Sequence, residues 1–222
     1  MPIFFTEILE KLSFLAGAPA VAGLALTASL IVVSGNWRLS LLALLAQYIL
    51  AGLLFTRLLP LQLVQIKLYV GVLICPMLYW AARRVEWTRK RHRQSGGSPL
   101  PPWPALAMGL PFRVLGMVLI GLAVYALGPS YPLPQVPWEI GLACYWLGLS
   151  GLLGLILTDE PFQAGLALLT FVTGCELFYA GLESSLLATG FLAIGNLLLA
   201  VVVAYLTVAR GMGPVIVRET GK

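Results

Sequence analysis

The chain alternates between long apolar runs and short polar segments. Seven apolar runs reach the roughly 17–25 residues that a helix needs to cross the hydrocarbon core of a bilayer. They cover residues 14–34, 39–56, 62–82, 112–128, 139–157, 162–182 and 186–209. The pattern predicts an all-α protein, a polytopic membrane helix bundle of about seven transmembrane helices. The second and fourth runs are short, so a count of six stays open.

Turn-forming residues mark the joints between these runs. Gly35 and Asn36 separate the first two runs, Pro60 precedes the third, and Pro161 is well placed to begin the sixth helix. Residues 83–104 are basic, then rich in Gly and Ser, then rich in Pro, which is typical of a flexible connection. The predicted organisation is a three-helix unit (1–82), a connection (83–111), a four-helix unit (112–210) and a tail (211–222).

Composition separates the chain from soluble proteins. Hydrophobic residues make up 59% of the chain, charged residues 10%, and the mean hydropathy is +0.93, whereas about a quarter of a soluble domain is charged. A large soluble catalytic domain does not fit in these 222 residues. Cys75, Cys144 and Cys175 lie singly in apolar runs, which favours small buried hydrophobic residues over a zinc or iron–sulfur site.

The basic residues predict the orientation. Six of them lie between positions 83 and 93, beside the third run, which puts the connection in the cytoplasm. With seven helices the N-terminus then lies outside and the C-terminus inside. Inner segments carry eleven basic residues and outer segments two. The positive-inside rule of membrane proteins explains this bias better than nucleic-acid binding does. We expect the protein to lie in the inner (plasma) membrane. Residues 1–13 lack a basic start and contain acidic residues, so we expect them to be retained.

The most informative single residue is Glu176, a carboxylate in the middle of the apolar run 162–182. A charged side chain at the bilayer centre costs roughly 2.5–3.5 kcal/mol on insertion scales. It therefore needs a partner, a water-filled cavity or a proton. A carboxyl that exchanges between its charged and neutral forms can pass protons along a hydrated path. The alternative is a protonated structural carboxyl that is hydrogen-bonded to a neighbouring helix.

Two further polar residues lie inside predicted helices. Lys67 lies a few residues into the third run, where it can extend to the outer interface or pair with an interior carboxylate. Asn196 lies deep in the last run and can hydrogen-bond a neighbouring helix or hold water in a proton path. Asp159 and Glu160, at the inner joint before the sixth run, are either solvated loop residues or the polar approach to Glu176.

Two blocks of sequence carry a resemblance to a known family. The first is VAGLALTASLIVVSGNWRLSLLALLAQ, followed later by PMLYWAARRV. The second covers the last three predicted helices, residues 139–209, and contains the segment GLSGLLGLILTDEPFQAGLALLTFVTGCELFYAGLESSLLATGFLAIGNLLLAVVVAYLTVAR. Both blocks resemble the membrane component E of hydrogenase-4-like complexes, a family whose C-terminal half is similar to the K subunit (chain 4L type) of complex I and to the C subunit of multisubunit cation/proton antiporters.

The resemblance implies a non-catalytic membrane subunit of a complex-I-like or group 4 hydrogenase-like oxidoreductase. Glu176 stands where the family carries a mid-membrane carboxylate on a proton or sodium path, and Lys67 is close to an expected basic residue. Asn196 departs from the family, whose last helix often carries a second acid. No cofactor is expected in this chain. Iron–sulfur clusters, and nickel–iron or quinone, would belong to partner subunits of the antiporter-like and quinone-module-like kinds.

Two other classes stay open from the sequence. An independent small transporter or channel predicts an internal inverted repeat, and none is evident. A purely structural assembly subunit predicts that Glu176 is neutral and fixed. The residues assigned to the ion path are Glu176, Lys67, Asn196, Asp159 and Glu160.

Overall fold

The computed structural model describes residues 17–94, 110–130, 137–182 and 185–219. Every regular element within these ranges is an α-helix. The helices are α1 (Ala18–Val33), α2 (Trp37–Leu58), α3 (Leu61–Gln94), α4 (Leu110–Ser130), α5 (Trp138–Ile156), α6 (Pro161–Leu182) and α7 (Leu186–Glu219). The predicted lead-in at residues 1–13, the Gly-, Ser- and Pro-rich part of the connection and the last residues of the tail lie outside the described ranges.

Six of these helices are long and apolar enough to cross a membrane. The chain is a multi-pass membrane protein of all-α class. Helix α1 is apolar but has only 16 residues, fewer than the roughly 17–25 of a typical transmembrane helix. Each predicted run corresponds to one of the helices, with ends that agree to within a few residues except for α3 and α7.

Helix α3 continues well past residue 82, where the apolar run ends. It extends through the basic segment as far as Gln94, although the composition of 83–104 predicted a flexible connection. Arg, Lys, Glu and Gln are good helix formers, and no glycine interrupts the segment before Gly96. The hydropathy pattern therefore located the end of the membrane segment and missed the end of the helix.

The closest helix packing joins α5 and α6. A Cβ atom added to Gly151 would lie 2.6 Å from the backbone nitrogen of Phe171 and 2.8 Å from the carbonyl oxygen of Ala167. One added to Gly174 would lie 2.9 Å from the nitrogen of Gly148. The glycines therefore allow the backbones of α5 and α6 to approach each other, as small residues commonly do in membrane helices.

Four helices surround the middle of the bundle. Helix α2 packs on α1, α3 and α6, and α7 packs on α3 and α6. One buried cluster lies where α2, α3, α6 and α7 meet, and includes Leu44, Ile74, Phe162 and Ala200. Helix α4 is peripheral, with its contacts to α5 and α1. Glu176 on α6 and Asn196 on α7 thus face the interior, at 2% and 5% exposure.

The outer surface of the bundle is apolar. Large side chains such as Tyr125, Leu187 and Ile156 are more than two-thirds exposed, which is normal for residues that face lipid. Cys75 and Cys144 are buried, in agreement with the sequence prediction. Cys175 is exposed, so the prediction of burial was wrong for this residue, because it lies on the opposite side of α6 from the interior residues Thr173 and Glu176.

Candidate functional site

The centre of the candidate site is an ion pair inside the bundle. The Nζ atom of Lys67 lies 2.9 Å from Oε2 of Glu176. The two side chains are 8% and 2% exposed. Of the two alternatives that the sequence left for Lys67, the geometry favours an interior lysine that pairs with a carboxylate. The attraction between the two charges offsets part of the free-energy cost of burying each of them away from water.

The helices bring these two residues together from opposite directions. Glu176 lies fifteen residues after Pro161 at the start of α6, about 22 Å along a helix that rises 1.5 Å per residue. Lys67 lies in the second turn of α3, which runs from Leu61. A long, flexible lysine stem allows the ammonium group to extend away from its own backbone into the bundle.

A small cavity adjoins the pair. Its volume is about 10 Å³, enough for about one water molecule. It is lined from four helices, by Tyr48, Ala51, Gly52 and Phe55 of α2, Lys67 and Val70 of α3, Thr173 and Glu176 of α6, and Ala193 and Asn196 of α7. Within the described part of the chain, the second carboxylate oxygen of Glu176, Oε1, has no hydrogen-bond partner.

The aromatic ring of Phe55 forms another wall of the site. The Lys67 ammonium lies 5.1 Å from the ring centroid, a distance at which a cation is attracted to the face of an aromatic ring. The ammonium group thus contacts the ring as well as the carboxylate, and the ring helps to fix one position of Lys67 next to Glu176.

A tyrosine–amide pair forms part of the cavity wall. The hydroxyl of Tyr48 donates to Oδ1 of Asn196 at 3.5 Å, and the Thr173 side chain is a further partner of that hydroxyl. The sequence singled out Asn196 and did not single out Tyr48, because a tyrosine in an apolar helix is common. Asn196 thus has a partner on another helix and lies in the cavity wall, while its predicted role of holding water in a proton path stays a prediction.

A second buried polar pair lies about one turn before Thr173 on α6. The hydroxyl of Thr170 lies 3.4 Å from Oε1 of Gln47 on α2, and it also donates to the carbonyl of Leu166 at 2.9 Å. Gln47 and Thr170 are 0% and 1% exposed. Among the described residues the Nε2 group of Gln47 has no partner. A glutamine in the interior of an apolar helix was a signal that the sequence reasoning did not use.

Together these residues form a polar row along one side of α6. Thr170, Thr173 and Glu176 recur every three residues, so they lie on one face of the helix, and all three are buried. Between Gln163 and Thr170 the buried residues of α6, such as Leu166 and Leu169, are apolar. The polar row therefore spans the central part of the bundle and stops before the Pro161 end of α6.

Asp159 and Glu160 are not part of this cavity. They precede α6, whereas Glu176 lies about 22 Å further along its axis. Asp159 is exposed, and its backbone carbonyl accepts a hydrogen bond of 2.9 Å from Arg210. Glu160 is half-buried. The structure thus brings together three of the five predicted ion-path residues and leaves these two at one end of the bundle.

The structure reveals a buried arginine at that same end. Arg113 of α4 is 3% exposed, and it donates to the carbonyl oxygens of Val32 at 2.8 Å and Leu157 at 3.4 Å, and to Gln163 at 3.4 Å. These carbonyls belong to the last turns of α1 and α5, where no helical N–H is available to them. In the sequence analysis Arg113 was only one of the eleven basic residues that predicted the membrane orientation.

No group of three or more His, Cys, Asp or Glu side chains that could hold a metal ion occurs among the described residues. Comparison with family models, with curated proteins and with solved structures finds no match. The resemblance to hydrogenase-4 component E therefore remains a prediction from the sequence. The geometry that bears on function is the buried pair of Lys67 and Glu176 beside its cavity.

Proposed function

We propose that the chain is a membrane subunit that carries one proton-transfer step of an ion-translocating complex, and that the Lys67–Glu176 pair carries this step. The observation behind the proposal is the combination of a buried ion pair of 2.9 Å with a carboxylate oxygen, Oε1, that faces no hydrogen-bond partner among the described residues. A pair that served only to neutralise two charges would be expected to have all its polar atoms satisfied.

The chemistry of the step uses the two forms of the pair. A proton that reaches Oε1 of Glu176 neutralises the carboxylate, and Lys67 is then left as the cation. Alternatively the ammonium passes a proton to Oε2 across 2.9 Å, which leaves a neutral amine and a neutral carboxyl. Neither of these two proton movements requires the backbone to move. A water molecule in the cavity would connect Oε1 to the amide and hydroxyl groups of Asn196 and Tyr48, which also line it.

The charge beside the cavity favours a proton over a sodium ion. The Lys67 ammonium lies 2.9 Å from Glu176 and repels another cation as long as it is protonated. The proposed translocated species is therefore the proton.

The wider assembly is proposed from the sequence resemblance. The chain would pack between antiporter-like and quinone-module-like membrane subunits of a complex-I-like or group 4 hydrogenase-like oxidoreductase. Redox cofactors, iron–sulfur clusters with nickel–iron or quinone, would lie in those partners. The short polar row supports a partner requirement, because Leu166 and Leu169 interrupt it before the end of α6.

We also propose seven membrane crossings, with the N-terminus outside and the C-terminus in the cytoplasm. Support comes from the two ends of α1. A Cβ at Gly17 would lie 3.5 Å from both Arg57 and Glu139 at one end of the bundle, whereas Val32 accepts from Arg113 at the other. Helix α1 therefore runs the same length of the bundle as its longer neighbours. The excess of basic residues at the Arg113 end agrees with a cytoplasmic location.

The experiment is proton pumping by the assembled complex in inverted native membrane vesicles that carry Glu176→Gln. The expected result is normal electron transfer with proton pumping reduced at least severalfold, and the matched control, Glu139→Gln in the first turn of α5, leaves pumping unchanged. Unaltered pumping in the Glu176→Gln vesicles would remove the proposed role. Glu176-dependent proton flux in liposomes containing the purified chain alone would indicate an independent transporter instead.

A further inference from the structure

The end of the α3 membrane segment carries an exposed basic and aromatic face. Trp80, Arg83, Arg84 and Trp87 stand at positions i, i+3, i+4 and i+7, so they share one side of the helix. Trp80 is 76% and Trp87 63% exposed, and both arginines are exposed. With Thr88, these four side chains line a groove of about 660 Å³.

The rotation of α3 is fixed by its other side. Ala81, Ala82 and Val85 are buried against the bundle. Glu86 forms an ion pair of 3.3 Å with Arg38 of α2. Because the helix is held from that side, the arginines and tryptophans are directed away from the rest of the described chain.

The groove is also partly ordered by its own side chains. The guanidinium carbon of Arg83 lies 5.3 Å from the ring centroid of Trp87 and 5.9 Å from that of Tyr79. Stacking of this kind holds the guanidinium plane while leaving its N–H groups free to bind an anion. The groove thus offers two cations between two aromatic side chains.

Its depth relative to the membrane matches the headgroup layer. The apolar segment of α3 extends from Leu63 to Thr88, so the groove lies at the end of the crossing, where tryptophan is enriched. Toward the middle of the membrane the same surface continues with exposed Leu73 and Val72. The order along the helix is therefore apolar stripe, tryptophan, two arginines, tryptophan.

We propose that this groove binds an anionic phospholipid, with the phosphate on Arg83 and Arg84. Planar guanidinium groups bind phosphate oxygens with two parallel hydrogen bonds. Trp80 packs on the glycerol region, and an acyl chain lies along the exposed apolar stripe. This succession of apolar and cationic surface is complementary to a lipid, which has both acyl chains and an anionic headgroup. An acidic protein segment would match the arginines and leave the apolar stripe uncovered. The site is independent of the proton step.

The test uses the purified full-length chain in nanodiscs, with tryptophan fluorescence as the readout. The probes are acyl-brominated phosphatidylglycerol and acyl-brominated phosphatidylcholine, whose bromine atoms quench nearby tryptophan. The expected result is stronger quenching by phosphatidylglycerol at equal mole fraction, and loss of this difference in Trp80→Phe/Trp87→Phe. Arg83→Gln/Arg84→Gln lowers the preference roughly fivefold for each arginine removed. The control Arg210→Gln removes an exposed charge on α7 and keeps the preference.

Three outcomes overturn the proposal. Equal quenching by both lipids means that the groove does not select an anion. A preference that survives in Arg83→Gln/Arg84→Gln, with helicity and elution volume unchanged, assigns it to another site. Photo-crosslinking from benzoylphenylalanine at position 80 in native membranes is expected to give an adduct with the mass of a phospholipid, and a protein adduct in its place makes the groove a subunit interface.

Discussion

Lys67 and Glu176 join two helices that have little other direct contact. Helix α3 packs chiefly on α7 and α2, and α6 packs on α5, α7 and α2, rather than on each other. Nevertheless the Lys67 ammonium lies 2.9 Å from a Glu176 oxygen. The charge pair is therefore a direct link across the centre of the bundle, and a change in its charge state acts on both helices at once.

Removal of one partner is expected to cost more than removal of both. Lys67→Met leaves a buried carboxylate without its cation, and breaking a buried pair in this way costs about 3–5 kcal/mol. In Lys67→Met/Glu176→Leu no charge remains buried, so the free energy of unfolding returns toward that of the wild type. Equilibrium unfolding in mixed micelles measures the coupling between the two substitutions.

The surface pair of Arg38 and Glu86 provides the control for that cycle. Its side chains are 69% and 21% exposed, and an exposed pair contributes about 0–1 kcal/mol. Arg38→Met is expected to change the free energy of unfolding by an amount in that range. A Lys67→Met variant as stable as Arg38→Met would contradict the ion pair at the centre of the bundle.

Gly71 of α3 is expected to control the position of Tyr48. A Cβ at Gly71 would lie 2.8 Å from Cγ and 2.9 Å from Cβ of Tyr48, and these atoms cannot move without displacing the whole ring. Gly71→Ala therefore shifts the Tyr48 hydroxyl away from Asn196 and lowers proton pumping, with a loss of stability of about 1–3 kcal/mol from overpacking. Pumping assays in vesicles and unfolding in micelles measure the two effects.

Gly190→Ala is the matched substitution in α7, because an added Cβ at this position meets no atom within 4 Å among the described residues. It is expected to leave both pumping and stability close to those of the wild type. Equal loss of pumping in Gly71→Ala and Gly190→Ala would show that glycine itself, and not the space beside Tyr48, is required.

Much of this fold could be predicted from hydropathy, and less of the site. Long apolar runs specify membrane helices because the bilayer excludes exposed backbone groups, so the helices were found with nearly correct ends, except for the last residues of α3 and α7. Glu176 was found because a charge in hydrocarbon is costly. Pairing with an interior carboxylate was one of two alternatives for Lys67, and the sequence could not choose between them, because which sides of α3 and α6 face each other depends on the packing of all the helices.

The residues that were missed share one physical reason. Gln47 and Arg113 are unremarkable in a hydropathy profile, since a single polar residue hardly changes the average over a long window. Both are almost fully buried in the structure. Their role follows from what lies opposite them, Thr170 for Gln47 and two helix ends for Arg113, and these contacts connect residues far apart in the sequence.

The close approach of α5 and α6 gives a prediction with a control one turn away. Gly151→Ala puts a methyl group 2.6 Å from the backbone nitrogen of Phe171, so the two helices must separate, at a cost of about 1–3 kcal/mol. Gly148→Ala adds a methyl group that meets no atom of the described residues within 4 Å, and it is neutral or slightly stabilising, because alanine favours the helix. Thermal unfolding in detergent compares the two, and equal midpoints would contradict the close approach.

Arg113 is expected to be irreplaceable by lysine. Its guanidinium donates at once to Val32 on α1, to Leu157 at the end of α5 and to Gln163 on α6. A lysine ammonium is a compact point charge that does not reproduce this planar fork. Each hydrogen bond from a charged group contributes about 1.5–3 kcal/mol, so Arg113→Lys lowers the free energy of unfolding by about that amount or more. Arg210→Lys, which alters one exposed contact to Asp159, has little effect. If Arg113→Lys were as stable as the wild type in mixed micelles, Arg113 would not be what joins these three helices.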